Sequence, residues 1–319
     1  MPYYPQGTKK PSRKPPLKKQ PLFRLALICL SALLIIYGAV RLVVYGADWI
    51  ASRRTAQELR KIAAAQDTAI PKQETVPEAA PEMVVSRNTV PVPDPTAVPA
   101  AAPSEILPAV EYPGGLQVSA RIRKLREKSE YIIGWLTMDD CDEPVALKDN
   151  DFFLNHDASG NRNVNGSLFL DESTRLLTRP YTLMVFGHNM KTGAMFGNLH
   201  RYEQTIYCNR HRIITFDTLY EEGKYAIFAV ATIHVTPGTA GYLSLTDLQS
   251  TRRAARKKAL AALSSLSVYS SILDVNEEDQ LLLLITCVGD DDQRLVVAAR
   301  RLRDDETPDR LTLTNGGKS

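Results

Sequence analysis

One cysteine stands at the end of an apolar run, where its type and place suit nucleophilic chemistry. Cys287 closes the run LLLLITC, and Gly289 and three aspartates follow, so the chain turns to solvent directly after the sulfur. A continuous apolar run of this length indicates a strand buried on both faces. A thiol delivered to the surface by a rigid strand favours a nucleophile, and a buried structural thiol is the alternative.

An arginine follows at a spacing that brings it back to the cysteine. Arg294 comes seven residues after Cys287 and precedes the apolar run LVVAARRL. If both runs are antiparallel strands joined by residues 288–293, Cys287 and Arg294 are neighbours. A guanidinium there would stabilise a thiolate or hold the oxyanion of a tetrahedral intermediate. The alternative is a surface ion pair with Asp290 to Asp292.

A histidine at the end of another strand-like run is the third candidate for chemistry. His188 lies in VFGHNMKTGAMFGNL, just after an apolar strand-like run that ends at Phe186. A neutral imidazole accepts a proton near neutral pH, and its protonated form returns one to a leaving group. A polar loop histidine without a role is the alternative, and His188 by itself does not decide between the two.

The remaining cysteines and two further histidines offer no metal-ligand spacing. Cys29 lies in an apolar segment, where it serves as a small hydrophobic residue. Cys141 and Cys208 could pair in an oxidising compartment, and the sequence leaves that pairing open. His200 and His211 are too isolated to form a metal site and are expected to be structural or surface residues. The chemistry outlined here requires no metal and no organic cofactor.

Short strand-like runs fill the second half of the chain and must position these groups. Polar or glycine-containing turns separate most of them, which favours a closed or nearly closed β-barrel. One amphipathic helix opens the region after Gly115. A second helix, TRRAARKKALAALSSL, interrupts the strands late, with Ala255, Leu260 and Leu263 or Leu266 available as its inner face. The fold class is therefore mainly β with inserted helices. The strand-like runs are PVALK, GSLFLD, YTLMVFGH, HRIITFDT, KYAIFAVATIHV, LLLLITC and LVVAARRL.

The N-terminal part predicts a membrane anchor. Residues 1–24 hold seven Lys or Arg and no Asp or Glu, and an apolar segment follows at 25–45. That length suits a transmembrane helix, and the positive-inside rule places the N-terminus in the cytoplasm. A cleaved signal peptide is the alternative, but no clean small-residue cleavage site follows. The expected location is the cell membrane, with a single pass and an extracellular catalytic domain.

The rest of the chain divides by composition. Residues 46–114 predict a short juxtamembrane helix and a Pro/Ala-rich linker, with ten prolines between Pro71 and Pro113. The linker is expected to act as a semi-extended tether that holds the domain away from the bilayer. Residues 115–305 form the expected catalytic domain, and residues 306–319 form a polar tail. The net charge of +3 gives no reason to expect a nucleic-acid partner.

The chain contains, in this order, the blocks YIIGWL, PVALKDNDFFLNHD, NGSLFLD, VFGHNMKTGAMFGNLHRY, KYAIFAV and LLLLITCVGDDDQRLVVAARR. In order and spacing these blocks resemble those of class B sortases, over about residues 118–303. The resemblance implies an eight-stranded sortase-type barrel and a catalytic set that falls on His188, Cys287 and Arg294. Thr286 matches the family and, with Ile285, is expected to contribute to substrate binding. Ile285 departs from the serine that many members carry there, and the loop after Cys287 is short, so the preferred sorting signal is left open.

The resemblance also implies a reaction. A cysteine transpeptidase of a Gram-positive bacterium would cleave a C-terminal sorting signal after Thr through a Cys287 thioester. It would then transfer the surface protein to an amine of a peptidoglycan precursor in the cell wall, or of a pilin. A pilin-polymerising sortase, a cysteine endopeptidase that uses water, and a membrane-tethered binding domain without catalysis are the alternatives.

Overall fold

The computed structural model describes residues 20–67, 105–271, 273–289, 292–307 and 313–315. Most of the predicted basic tail, the segment from 68 to 104 and most of the polar C-terminal tail lie outside these residues. The described part divides after Trp49 into two compact units, which are considered separately.

The first unit is the apolar part of a long helix. One helix of the described residues is long and apolar enough to cross a membrane, over Phe23–Ala65. Its large apolar side chains between Phe23 and Val44 are exposed. An apolar surface of this kind suits lipid rather than water. The composition and length are those that the anchor prediction requires.

The described residues contain five helices, with two short 3₁₀ turns at Phe152–Leu154 and Leu199–Glu203. Ser119 caps the second helix by accepting a hydrogen bond from the backbone N–H of Ile122, and Ser244 caps the fourth in the same way. The predicted late helix is confirmed as the fifth. The helices are α1 (Gln20–Asp67), α2 (Ala120–Arg126), α3 (Thr205–Arg210), α4 (Leu245–Gln249) and α5 (Arg253–Leu266).

Ten strands are described. Eight form a closed barrel in the order β1-β2-β3-β4-β8-β9-β6-β5, and β7 pairs with β10 in a separate two-stranded sheet. The predicted eight-stranded barrel is therefore confirmed. The strands are β1 (Ile132–Met138), β2 (Cys141–Ala146), β3 (Leu168–Leu170), β4 (Thr182–Phe186), β5 (Ile213–Thr218), β6 (Lys224–His234), β7 (Tyr269–Ser271), β8 (Leu281–Cys287), β9 (Gln293–Arg301) and β10 (Leu313–Asn315).

The barrel strands β4, β8 and β9 position His188, Cys287 and Arg294. The middle parts of these strands are buried on both faces of the sheet. Leu282 and Leu284 of β8 pack in one core cluster with residues of the other barrel strands. Leu283 and Ile285 point to the opposite face and pack in a second cluster that includes Leu260 of α5. Burial on both faces explains why the sequence of β8 is continuously apolar rather than alternating.

Helix α5 covers the outer face of these strands, and one of its buried residues is a charged one that the sequence did not predict there. Its buried side chains are Arg256, Ala259, Leu260 and Leu263, so Arg256 replaces the predicted Ala255 on the inner face. The guanidinium of Arg256 is satisfied by backbone oxygens and one hydroxyl. Because a buried cation is tolerated only when its donors are paired, the helix pattern alone could not reveal it.

The second unit also includes chain that precedes the predicted catalytic domain. Leu59 and Ala63 of α1 are buried with Ile122 and Trp135 in one cluster. Arg60 donates to the backbone oxygen of Asp142 and to the carboxylate of Glu143 at 2.6 and 2.8 Å. Leu107 and Tyr112 are buried as well. The packed unit therefore takes in residues from both ends of the predicted 46–114 segment, and the domain limit at residue 115 stays a prediction.

Candidate functional site

Cys287 is the only exposed residue of β8. The six residues before it are buried, and its own side chain is exposed. The strand is fixed on both sides, because β4 pairs with it in parallel and β9 pairs with it in antiparallel orientation. The thiol therefore lies at the surface on a rigid support, as its position in the sequence predicts.

Arg294 lies directly opposite Cys287 in the β8–β9 ladder, where the two residues are Cα partners. The backbone N–H of Val288 donates to the oxygen of Gln293 at 3.3 Å, so the adjoining pair is the hydrogen-bonded one. Cys287 and Arg294 form a non-hydrogen-bonded pair, in which side chains on one face come closest. The prediction that Cys287 and Arg294 are neighbours across two antiparallel strands is confirmed.

His188 reaches the same place from β4. Phe186 is the Cα partner of Ile285, and the backbone N–H of Gly187 donates to the oxygen of Ile285 at 3.2 Å. Two more residues along each parallel strand bring His188 level with Cys287. Gly187 is required for space, because a Cβ there would lie 2.4 Å from Cδ2 of Leu168. His188, Cys287 and Arg294 thus gather at one end of three adjacent strands.

The imidazole of His188 is oriented by a backbone carbonyl. Its Nε2 lies 2.8 Å from the oxygen of Leu154, in the turn at Phe152–Leu154. Since a carbonyl oxygen only accepts, Nε2 carries the hydrogen and Nδ1 is the nitrogen left to exchange a proton. The segment after Leu154 is held by Asp157, whose carboxylate accepts from the backbone N–H groups of Ser159 and Asn161.

Asn189 ties the histidine segment to the cysteine strand, and sequence reasoning did not single it out. Its Nδ2 donates to the backbone oxygen of Cys287 at 3.1 Å. The bond joins the neighbour of His188 to Cys287 itself. The position of Asn189 next to His188, in the GHNM block, could have marked it as a candidate site residue. The sequence does not indicate which atom its side chain contacts.

Thr286 and Ile285, the predicted substrate-binding pair, are both buried. The hydroxyl of Thr286 donates to the backbone oxygen of Gly187 at 2.7 Å. Ile285 packs in the outer core cluster with residues of β6, β9 and α5. Both side chains are therefore engaged in contacts within the protein. Their contribution to substrate binding stays a prediction.

Known proteins share this architecture. The Sortase domain family model matches residues 144–302. The crystal structure of a Bacillus anthracis protein, described as similar to sortase B, is 30% identical with a TM-score of 0.53, and the match covers 61% of this chain and 88% of that chain. Sortase B of Listeria monocytogenes is 30% identical over 117 residues, 36% of this chain and 48% of that protein. Sortase B of Staphylococcus aureus is 28% identical over 113 residues, 34% of this chain and 46% of that protein.

The chain belongs to the sortase family, in class B. The resemblance noted in its sequence blocks is thereby confirmed. The matched stretch spans about half the length of the two curated relatives, 48% and 46%. Family and fold are therefore established for this sortase, whereas its activity, substrates and partners are matters for proposal.

Asp292, which lies two residues before Arg294, has its partners on another strand end of the sortase barrel. Asp292 accepts hydrogen bonds from Thr236 and from Nδ1 of His234, the latter at 2.8 Å. These bonds, those from Thr236 first, hold the pKa of Asp292 below its usual range. Asp292 is therefore engaged with β6 and the chain just after it, while Asp290 and Asp291 lie outside the described residues.

The other cysteines and histidines of the sortase domain lie in different surroundings. Cys141 and Cys208 are free, buried thiols, and burial raises the pKa of Cys208 to about 12. His200 has Nδ1 at 3.0 Å from the oxygen of Gly197, and His211 has Nδ1 at 3.1 Å from Asp139. Each of the two histidines has a local partner, in keeping with the structural role expected for them.

Proposed function

We propose that this sortase is a cysteine transpeptidase with Cys287 as nucleophile, His188 as acid and base, and Arg294 as the cation beside the thiol. The observation that carries the proposal is their convergence. Cys287 and Arg294 are Cα partners, and the β4–β8 register brings His188 level with Cys287. The three residue types together supply the parts that acyl transfer through a thioester needs.

In the first half-reaction, the thiolate of Cys287 attacks the carbonyl carbon of a Thr in a C-terminal sorting signal of the Asn-Pro-x-Thr or Leu-Pro-x-Thr type. A carbon–sulfur bond forms, and the guanidinium of Arg294 stabilises the oxyanion. Protonated His188 gives a proton from Nδ1 to the amide nitrogen as the carbon–nitrogen bond breaks. The products are a thioester on Cys287 and a free amine on the departing segment.

In the second half-reaction, neutral His188 takes a proton from an incoming amine. The amine nitrogen attacks the thioester carbonyl, a new amide bond forms, and the Cys287 thiolate leaves. The amine of a peptidoglycan precursor in the cell wall is the acceptor proposed first, and a pilin lysine is the alternative. Resolution by an amine rather than water separates a transpeptidase from an endopeptidase.

The proposed location follows from the first unit. The long apolar helix supplies a single membrane anchor. Seven Lys or Arg in the first 24 residues favour a cytoplasmic N-terminus, which puts the catalytic unit outside the cell. Surface proteins with a C-terminal sorting signal would meet the enzyme there.

A peptide-library cleavage assay with the full chain in detergent tests this proposal, with products identified by mass spectrometry. We expect cleavage after Thr, and in the presence of triglycine an aminolysis product in place of the free acid. Cleavage that yields only the acid at every triglycine concentration would favour the endopeptidase. Covalent protein ladders in cells that vanish on deletion of the gene would favour the pilin-polymerising alternative. Undiminished transfer by Cys287→Ala protein would exclude the assignment.

A further inference from the structure

Asp292, two residues before Arg294, is bound to a neighbouring strand end by four hydrogen bonds. Its Oδ2 accepts from Nδ1 of His234 at 2.8 Å. Its Oδ1 accepts from the backbone N–H and the hydroxyl of Thr236, at 2.8 and 2.5 Å. Its backbone oxygen accepts from the N–H of Val235 at 3.1 Å. One residue of the chain before β9 is thus fixed to three consecutive residues at the end of β6.

The histidine of this contact is itself held in place. The backbone N–H of His234 donates to the oxygen of Gly241, and its oxygen accepts from the N–H of Leu243, both at 3.0 Å. An ionised carboxylate only accepts, so Nδ1 of His234 carries a hydrogen in either charge state of the ring. The side chains of His234 and Asp292 are 26% and 29% exposed, which leaves the bond partly shielded from water.

Gln293 connects this contact to the proposed catalytic groups. Gln293 is the Cα partner of His234, and the next residue, Arg294, is the partner of both Ile233 and Cys287. The backbone oxygen of Gln293 accepts from Nη1 of Arg294 at 2.9 Å and from the N–H of Val288 at 3.3 Å. One carbonyl therefore joins the guanidinium to the residue that follows the thiol.

We propose that His234 and Asp292 are positioning residues: they fix Gln293, and through its carbonyl they hold the guanidinium of Arg294 beside Cys287. Neither side chain needs to touch substrate. Loss of a contact that positions Arg294 should lower the rate of transfer, because the donors of an oxyanion site must be in place before the negative charge develops. The kinetic part of this inference rests on the proposed transpeptidase activity.

The test uses the full chain in detergent and two variants of one residue. His234→Leu removes the donor, whereas His234→Asn returns an N–H donor near the position of Nδ1. We expect His234→Leu to lower kcat about tenfold with KM within about twofold, and His234→Asn to keep at least about half of kcat. Asp292→Ala should lower kcat at least as much as His234→Leu, because it also removes the acceptor of the two Thr236 hydrogen bonds, and the double variant should be no worse than Asp292→Ala. His211→Leu is the control, since it removes another histidine–carboxylate contact, with Asp139 at 3.1 Å.

A second readout does not depend on transfer. The rate of Cys287 alkylation by iodoacetamide at pH 7.5 reports on the surroundings of the thiol, including the placement of the Arg294 guanidinium. We expect His234→Leu to slow it about threefold, with His234→Asn and His211→Leu unchanged. His234→Leu is chosen because it leaves the charge of Asp292 in place. If the wild-type protein transfers nothing, the proposed function fails while alkylation still tests the contact.

The inference is overturned if His234→Leu and Asp292→Ala keep kcat and alkylation within about twofold of wild type. It is also overturned if His211→Leu loses as much kcat, or if His234→Asn is as impaired as His234→Leu. Should Asp292→Ala fail to fold, Thr236→Val replaces it, because that change removes one donor and leaves the carboxylate. A fall in kcat for Thr236→Val supports the inference, and an unchanged kcat for both Thr236→Val and His234→Leu opposes it.

Discussion

The two ends of the β4–β8 pair differ in what surrounds their charged and polar groups. Because β4 and β8 run in parallel, His188 and Cys287 lie together at the carboxyl ends of the two strands. Arg256 of α5 lies at the amino ends. At the amino ends, Arg256 is fully buried. Its guanidinium donates to the hydroxyl of Thr182 at 2.6 Å and to four backbone oxygens, those of Tyr181, Leu248, Glu277 and Asp279.

The carboxyl ends are built for access instead. Cys287 is exposed, and His188 and Arg294 are half-buried. His188 is oriented through one nitrogen, which leaves the other for proton transfer. A buried, fully satisfied cation holds elements together, whereas the partly exposed groups at the other end of the same rigid strands are those for which we propose a catalytic role. Substitutions at one end should therefore change stability, and substitutions at the other should change rate.

The largest effect on rate is expected at Cys287, the proposed nucleophile. Cys287→Ala should reduce transfer on the order of 10⁴-fold or more, because no thioester can form. Its free energy of unfolding should stay within about 0.5 kcal/mol of wild type, since the side chain is exposed. Quantitative mass spectrometry and urea unfolding measure the two. Residual transfer above about 1% of wild type would break the comparison, because the chemistry would then not depend on this end.

A second contrast uses the cysteines of the folded domain. Burial raises the pKa of Cys208 to about 12 and raises that of Cys141 as well, so both stay protonated at pH 7.5. We expect iodoacetamide to label Cys287 about 10³-fold faster than either, because the thiolate is the reactive form. Peptide mass spectrometry separates the sites. In urea, all should react at similar rates. Rapid labelling of Cys208 in the folded protein would show that its burial is not lasting.

At the amino ends the expected loss is one of stability. Arg256→Met should lower the free energy of unfolding by about 3 kcal/mol or more, because the backbone oxygens of Glu277 and Asp279 would lose the donor that Arg256 supplies and its other acceptors would each lose one of their hydrogen bonds. Burial lowers the pKa of Arg256 to about 10, which leaves it charged at neutral pH. Urea unfolding measures the loss, and Lys257→Met on the exposed face is the control. If Arg256→Met kept the wild-type stability but had a lower kcat, the amino ends of these strands would contribute to the rate rather than to stability.

The sequence predicted much of the arrangement at the carboxyl ends of β4 and β8 and little of the arrangement at their amino ends. Two apolar runs separated by six residues predict an antiparallel pair, which is why Cys287 and Arg294 could be placed together. His188 needed more, because its partner strand lies about a hundred residues away and a parallel pairing leaves no local signal. The resemblance to class B sortases supplied that link.

Arg256 escaped prediction for a physical reason. A charged residue among TRRAARKK indicates a solvated helix face, and its burial depends on backbone oxygens of distant segments that no pattern in the helix encodes. The same holds for Leu154, whose carbonyl orients His188. The packing of Leu59 and Ala63 was likewise not foreseen, because the proline-rich segment after them separates them in sequence from the barrel.

Arg294→Lys sharpens the comparison by keeping the charge and changing its shape. An ammonium cannot both donate to the oxygen of Gln293 and present a planar pair of donors to an oxyanion. We expect transfer to fall about 10²-fold with the stability unchanged. Arg303→Lys is the control, because Arg303 pairs with Asp279 at the other end of β8. Equal rates for Arg294→Lys and wild type would show that charge alone suffices at this position.

The smallest expected effect lies in the bond between the histidine segment and the cysteine strand. Asn189→Ala removes the donor to the oxygen of Cys287 and should lower kcat about tenfold, because His188 is then held less firmly level with the thiol. Asn189→Asp should lose at least as much, since a carboxylate would face a carbonyl oxygen. Steady-state kinetics of both are compared with Lys191→Ala in the same loop. If only KM rises, Asn189 contacts substrate rather than aligning the histidine, and the carboxyl end would be held by β4 and β8 pairing alone.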